Sequence, residues 1–265
     1  MSDPRPIGVF DSGVGGLTVV RRLREEFPRE SFLFLGDTAR LPYGTKSPET
    51  VERYSLANVR FLLERDVKFL VVACNTASAL ALPAIERVSP VPVVGVIEPG
   101  ADAAVATGFQ RIGVIGTEAT IASGAYTREI ARRAPGLSVV ARACPLFVPL
   151  AEEGWVENGV ARETAEIYLA PFRDDRVEAL VLGCTHYPLL KTTIAMTLPG
   201  VRLVDSADAV CAAVRPLLTP ARRNEEESEY HVCVTDAADR FRAVAERFLG
   251  RPIDRLEHVE ITGDL

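Results

Sequence analysis

Phe69-Leu70-Val71-Val72-Ala73-Cys74-Asn75-Thr76 and Ala179-Leu180-Val181-Leu182-Gly183-Cys184-Thr185-His186 are the two stretches on which the fold turns. Each is a short continuous apolar run that ends in cysteine and passes into small polar residues. Such a run reads as a strand buried on both faces, the pattern that helices covering a parallel sheet produce. A second pair stands upstream, Ile7-Gly8-Val9-Phe10-Asp11-Ser12 and Ile112-Gly113-Val114-Ile115-Gly116-Thr117. The separation is 67 residues from Ile7 to Cys74 and 72 from Ile112 to Cys184, so order is kept and the interval nearly so. Any two buried Val/Leu/Ile strands resemble each other, but that explanation leaves out a shared cysteine at a shared place. The expectation is an α/β fold of two related, pseudo-symmetric parallel-sheet lobes rather than a short-period solenoid.

Outward from these stretches, apolar β-branched runs alternate with helical spacing to the end of the chain. Strands are expected at 7–10, 32–36, 69–73, 91–97, 111–115, 137–142, 179–183, 201–204 and 231–234. Leu17, Val20, Leu23 and Phe27 recur at helical spacing and are halted by Pro28, while Ser47-Pro48 reads as an N-cap with a first-turn proline. No Gly/Ser linker divides the chain; 224–229 is a charged, solvated stretch before the last strand and helix.

Composition excludes several classes. The 265 residues are 48% hydrophobic, enough for a sizeable core, and no apolar run reaches the roughly 18–20 residues of a membrane span. The beginning of the sequence lacks a signal-peptide pattern, so a cytoplasmic protein is expected. A net charge of −6 speaks against nucleic acid as a partner, since phosphate binding needs clustered Lys/Arg. Five cysteines, at 74, 144, 184, 211 and 233, form no CxxC pair and have no His-rich companion, so neither a disulfide framework nor a metal site is expected.

The chemistry concentrates at the strand ends. Ligands of open parallel sheets bind beyond the carboxyl ends of the strands, so Cys74 and Cys184 belong at the functional edge. If the two halves face each other across a cleft, the thiols lie on its opposite sides. One base can then take a proton from one face of a carbon while an acid returns a proton to the other. A helix start after each cysteine is expected to draw its thiol from about 8.5 toward neutrality. Cys144, Cys211 and Cys233 sit in apolar or helical surroundings and read as small core residues, and His231 and His258 read as structural. Asp11 and Ser12 open a glycine-rich turn that has neither GxGxxG spacing nor a Walker ending. Gly13, Gly15 and Gly16 let backbone approach a small substrate there, with Asp11 either holding an ammonium group or simply capping the turn. His186 is placed to orient substrate or tune a thiol, and the segment 37–44 to wall the cleft.

Several strings then carry a resemblance that covers nearly the whole chain. They are Gly8-Val9-Phe10-Asp11-Ser12-Gly13-Val14-Gly15-Gly16-Leu17-Thr18, Gly36-Asp37-Thr38-Ala39-Arg40-Leu41-Pro42-Tyr43-Gly44, Ala73-Cys74-Asn75-Thr76-Ala77-Ser78 and Leu182-Gly183-Cys184-Thr185-His186-Tyr187-Pro188-Leu189-Leu190. Gly116-Thr117 and Cys144-Pro145-Leu146-Phe147-Val148-Pro149-Leu150 add to them. The sequence closely resembles the glutamate racemases of the aspartate/glutamate racemase family. The resemblance implies interconversion of L- and D-glutamate without pyridoxal phosphate, other cofactor or metal, supplying D-glutamate for peptidoglycan. It implies that Cys74 deprotonates the D-isomer and Cys184 the L-isomer. Substrate contacts would fall to Asp11, Ser12, Tyr43, Gly44, Asn75, Thr76, Thr185 and His186, with Thr117 and Thr120 as auxiliaries. A family glutamate maps to Glu152 or Glu153, a choice that adjacency leaves open. The family also implies a homodimer, and two lobes, 1–97 with 207–265 and 98–206, with the active site between them. Alternatives are a racemase for another amino acid such as aspartate, a one-thiol relative, or a non-catalytic amino-acid-binding regulatory protein.

Overall fold

The structure, a computed structural model, describes residues 3–218, 228–236, 238–253 and 255–261. In chain order its first elements are β1 (Ile7–Asp11), α1 (Leu17–Glu26), β2 (Phe32–Gly36), α2 (Pro48–Leu63), β3 (Phe69–Val72), α3 (Asn75–Leu80), α4 (Leu82–Val88), β4 (Val93–Gly95) and α5 (Ile97–Val105). Then come β5 (Arg111–Gly116), α6 (Glu118–Ala122), α7 (Ala125–Arg133), β6 (Ser138–Ala143), α8 (Phe147–Glu153), α9 (Gly159–Asp174), β7 (Ala179–Gly183), α10 (Lys191–Thr197), β8 (Arg202–Asp205) and α11 (Ser206–Val214). The chain closes with β9 (Tyr230–Val234), α12 (Ala238–Leu249) and β10 (Leu256–His258).

These strands form two parallel sheets. One has the order β6-β5-β7-β8; the other, β10-β9-β2-β1-β3-β4, contains the same order, β2-β1-β3-β4, with β9 and β10 added at its edge. The repeated sequence pairs occupy matching places, β1 with β5 and β3 with β7. Every residue of β1, β2, β3 and β7 is buried, as their unbroken apolar runs demand. Helix α1 buries Leu17, Val20 and Leu23 on one stripe, and the Ser47 side chain accepts from the Thr50 N–H at 3.3 Å to cap α2. No helix among the described residues is long and apolar enough to cross a membrane.

Three local expectations change. The strand at 91–97 shrinks to β4, because Pro92 offers no N–H to the ladder and Ile97 already begins α5. β10 was not expected: Leu256-Glu257-His258 carries no strand pattern and forms by pairing with β9. Cys184 does not lead directly into an α-helix. A short 3-10 turn, Tyr187–Leu190, intervenes before α10, with Pro188 in its first turn, where a missing N–H costs nothing. Of the charged stretch 224–229, residues 224–227 lie outside the described residues.

Candidate active site

The carboxyl ends of both sheets meet, and hydrogen bonds cross between them. Thr185, just after β7, donates its hydroxyl to Asp11 at the end of β1 at 3.4 Å, and Thr18 on α1 donates to the Thr185 carbonyl at 3.0 Å. Thr76 on α3 lies 2.9 Å from Thr117 and 3.1 Å from Thr120, which are 2.9 Å from each other, so three hydroxyls close a ring across the boundary. Tyr126 on α7 donates to Asn75 Oδ1 at 2.7 Å.

At this meeting lies a cavity of about 40 Å³ bordered by both cysteines. From the larger sheet come Ser12, Gly13, Leu41, Pro42, Tyr43, Gly44, Cys74, Asn75 and Thr76; from the smaller come Thr117, Val148, Glu152, Cys184, Thr185 and His186. Cys74 and Cys184 are 4% and 5% exposed. Roughly 10–15 Å³ by this measure holds one water, so the space as it stands has room for about three.

Each thiol has its own surroundings. Cys74 caps α3, accepting from the Ala77 N–H at 3.5 Å and from Ser12. These donors do not bring the thiol toward neutrality as the sequence suggested. Burial pushes it up to about 12, reinforced by the nearby Asp11 carboxylate, and outweighs the N–H groups. Cys184 Sγ faces His186 Nδ1 at 3.8 Å, and His186 Nε2 meets Glu152 Oε1 at 3.0 Å. Burial opposes a charge on His186, yet the bonds to Cys184 and Glu152 prevail and raise it to about 10. Phe248 on α12 packs its ring nearly perpendicular to the imidazole, 4.9 Å between centroids.

Most expected site residues converge here, with differences in role. Asp11 does not border the cavity. It is fully buried behind it, where Oδ2 accepts from the Gly13 N–H at 3.1 Å, and burial raises its carboxyl while His186 opposes the rise. Thr120 likewise stands behind Thr76 and Thr117. Tyr43 borders the cavity but gives its hydroxyl to Asp37 and accepts from Asn58 Nδ2 at 3.0 Å. Gly44 lies so close to Thr117 that a Cβ would fall 2.7 Å from the threonine Cβ. Of the adjacent glutamates, Glu152 reaches the cavity and Glu153 is exposed on the surface. Cys144, Cys211 and Cys233 are buried away from the cavity lining.

Sequence reasoning missed Val148 and Tyr126. The first was legible only as one apolar residue in a long string. The second is a tyrosine on a helix whose spacing reads as core. Tyr126 nevertheless orients the Asn75 amide, and Asn75 Nδ2, buried, finds no acceptor among the described residues. A buried donor without a partner costs about 1–3 kcal/mol, so this nitrogen is poised for a ligand oxygen.

The comparisons with known proteins agree on one family. A family profile described as Asp/Glu/Hydantoin racemase matches residues 7–214. A glutamate racemase of Geobacter metallireducens is 52% identical, the match covering 98% of each chain. Among solved structures, glutamate racemase of Francisella tularensis in complex with D-glutamate is 39% identical, with 98% of both chains covered and a TM-score of 0.92. That of Thermus thermophilus in complex with β-chloro-D-alanine is 48% identical over 98% of both chains, with a TM-score of 0.89. A profile spanning both sheets and relatives matched from end to end leave one assignment: this chain belongs to the aspartate/glutamate/hydantoin racemase family.

Proposed function

We propose that this chain interconverts L- and D-glutamate, one of Cys74 and Cys184 removing the α-proton while the other gives a different proton to the opposite face, so that both acid and base are its own side chains. The observation that carries the reading is the pair of buried cysteines, at matching strand ends of two sheets, bordering one cavity. The names of the relatives support glutamate as the substrate. On the same reading the protein is a cytoplasmic homodimer supplying D-glutamate for peptidoglycan. Its lobes are 1–97 with 207–265 and 98–206, as the sheet memberships suggest.

The chemistry follows from the placement of donors. An α-proton beside a carboxylate is hard to remove because negative charge builds on a group already negative. Asn75 Nδ2 can meet one of those oxygens as it stands, and the hydroxyls of Thr76 and Thr185 can meet the other by turning away from the Thr117–Thr120 pair and from Asp11. Cys74, raised to about 12, rests as a thiol and serves first as the donor. From L-glutamate, Cys184 takes the proton on one face and Cys74 delivers its own to the other. The reverse reaction exchanges the roles. His186, held positive between Glu152 and the Cys184 sulfur, supplies a cation beside the chemistry.

The test is incubation of the protein with each isomer in D₂O, followed by chiral chromatography and proton NMR. Inversion with solvent deuterium at the α-carbon is expected, faster for glutamate than for aspartate. Glutamate that binds but neither exchanges nor inverts would make the protein a binding module instead.

Tyr126→Phe tests the substrate-orienting role of Asn75. Losing one hydrogen bond worth about 1–1.5 kcal/mol frees the amide to rotate, so kcat/KM should fall about tenfold, mainly through a higher KM. The variant should keep a melting temperature within a few degrees of the parent. An unchanged KM would show that the amide needs no such support.

A further inference from the structure

We propose that His231, Cys233 and Glu257 form a binding site for a divalent transition metal of the zinc class, at the edge of the larger sheet and outside the catalytic cavity. His231 and Cys233 are two residues apart on β9 and so face the same side, and Glu257 on β10 lies directly across the parallel ladder from Cys233. His231 Nε2 is 3.7 Å from Cys233 Sγ and 2.8 Å from Glu257 Oε2, and the three ligand atoms all lie within 4.8 Å of one another. Bonds of about 2.3 Å to sulfur and 2.0 Å to nitrogen put neighbouring ligands of a tetrahedral zinc roughly 3.6 Å apart. The nitrogen and sulfur already stand at that spacing. The imidazole and carboxylate, now hydrogen-bonded, need only a small opening.

The charges balance. The Cys233 thiol gives up its proton to solvent, and thiolate and carboxylate together neutralise a dication, with imidazole as the third ligand. The fourth position opens on a surface groove of about 590 Å³ shared by His231, Glu257, Arg65 and Arg255, and takes a water. Arg255 lies 3.8 Å from the Glu257 carboxylate and opposes a cation, but its exposed side chain is free to swing out. Arg65 is held against the Phe61 ring and remains as a modest repulsion. A thiolate among the ligands favours zinc-class ions over magnesium or calcium.

The site stands apart from the chemistry. Cys233 is level with Leu35 on β2, and β2 separates it from Asp11 on β1. None of the groove's residues borders the catalytic cavity. No metal spacing was legible in the sequence because the third ligand is on an edge strand far downstream. The ion would join that three-residue strand to its neighbour through side chains as well as through the ladder.

The experiment titrates Co²⁺ into the full chain carrying Cys74→Ser and Cys184→Ser, so that the catalytic thiols cannot contribute. One equivalent should produce a thiolate-to-cobalt charge-transfer band and the visible bands of a tetrahedral ion, Zn²⁺ should bleach them, and the melting temperature should rise by several degrees. Adding Cys233→Ser should abolish the charge-transfer band. His231→Asn, at a partly exposed position less able to harm folding, should weaken affinity at least about tenfold, as should Glu257→Gln. Absence of the band in the parent, its persistence with Cys233→Ser, or unchanged affinity with His231→Asn would overturn the site.

Discussion

Cys74→Ser and Cys184→Ser are each expected to lower kcat/KM for racemisation by about 10³-fold or more, since one positioned acid or base is commonly worth 10²–10⁴. Serine nearly matches the shape of cysteine, so the cavity and its bonds across the two sheets should survive and KM should change little. Its hydroxyl is far too weak an acid and too poor a base near neutral pH to take over. The informative readout is α-hydrogen exchange in D₂O measured apart from inversion. Cys74→Ser keeps the thiol assigned to L-glutamate and should exchange that isomer slowly without inverting it. Cys184→Ser should do the same for D-glutamate. Near-normal racemisation by either variant would remove that cysteine from the mechanism.

Gly15→Ala should cost about 10²-fold in kcat/KM with only a few degrees lost from the melting temperature. A Cβ at this position would stand 2.4 Å from Thr185 Oγ1 and 2.5 Å from His186 Nδ1, closer than carbon ever approaches such atoms. Relief requires these neighbours to shift by the better part of an ångström, and displacement of about 1 Å at a reacting centre costs on that order. Both are cavity residues, and His186 faces the Cys184 sulfur. The turn itself should tolerate the change, since Gly15 has no left-handed backbone angle. Full activity in this variant would mean that the close approach of the glycine turn does not set the place of His186.

Much of this was legible in the sequence because of what burial demands. A strand covered on both faces must be apolar throughout, so β1, β3, β5 and β7 could be read directly, and their repetition pointed to matching strand ends for Cys74 and Cys184. What could not be read depends on geometry between elements. Glu152 and Glu153 are neighbours on α8, and only the direction of that helix sends one to His186 and the other to solvent. Asp11 and Thr120 have the chemistry of substrate ligands, but the close packing of the two halves puts other side chains in front of them. The environment of Cys74 was misjudged because a helix start is visible in sequence whereas complete desolvation is not. Tyr126 acts at a distance of 51 positions along the chain, through one hydrogen bond that no periodicity announces.

The two halves share a strand order but not their furniture: Cys74 stands near Asp11 and Ser12, Cys184 near His186 and Glu152. A mirror-image pair is thus handled by a site that is not its own mirror image. Enantiomers in water have equal free energy, so their equilibrium constant is unity whatever enzyme connects them. For a racemase built this way, kcat/KM must be identical in both directions, and any advantage in turnover for one isomer must be matched by weaker saturation with it. The lopsided surroundings can therefore set which isomer is held more tightly and which is released faster, while detailed balance forbids them to favour either in the end.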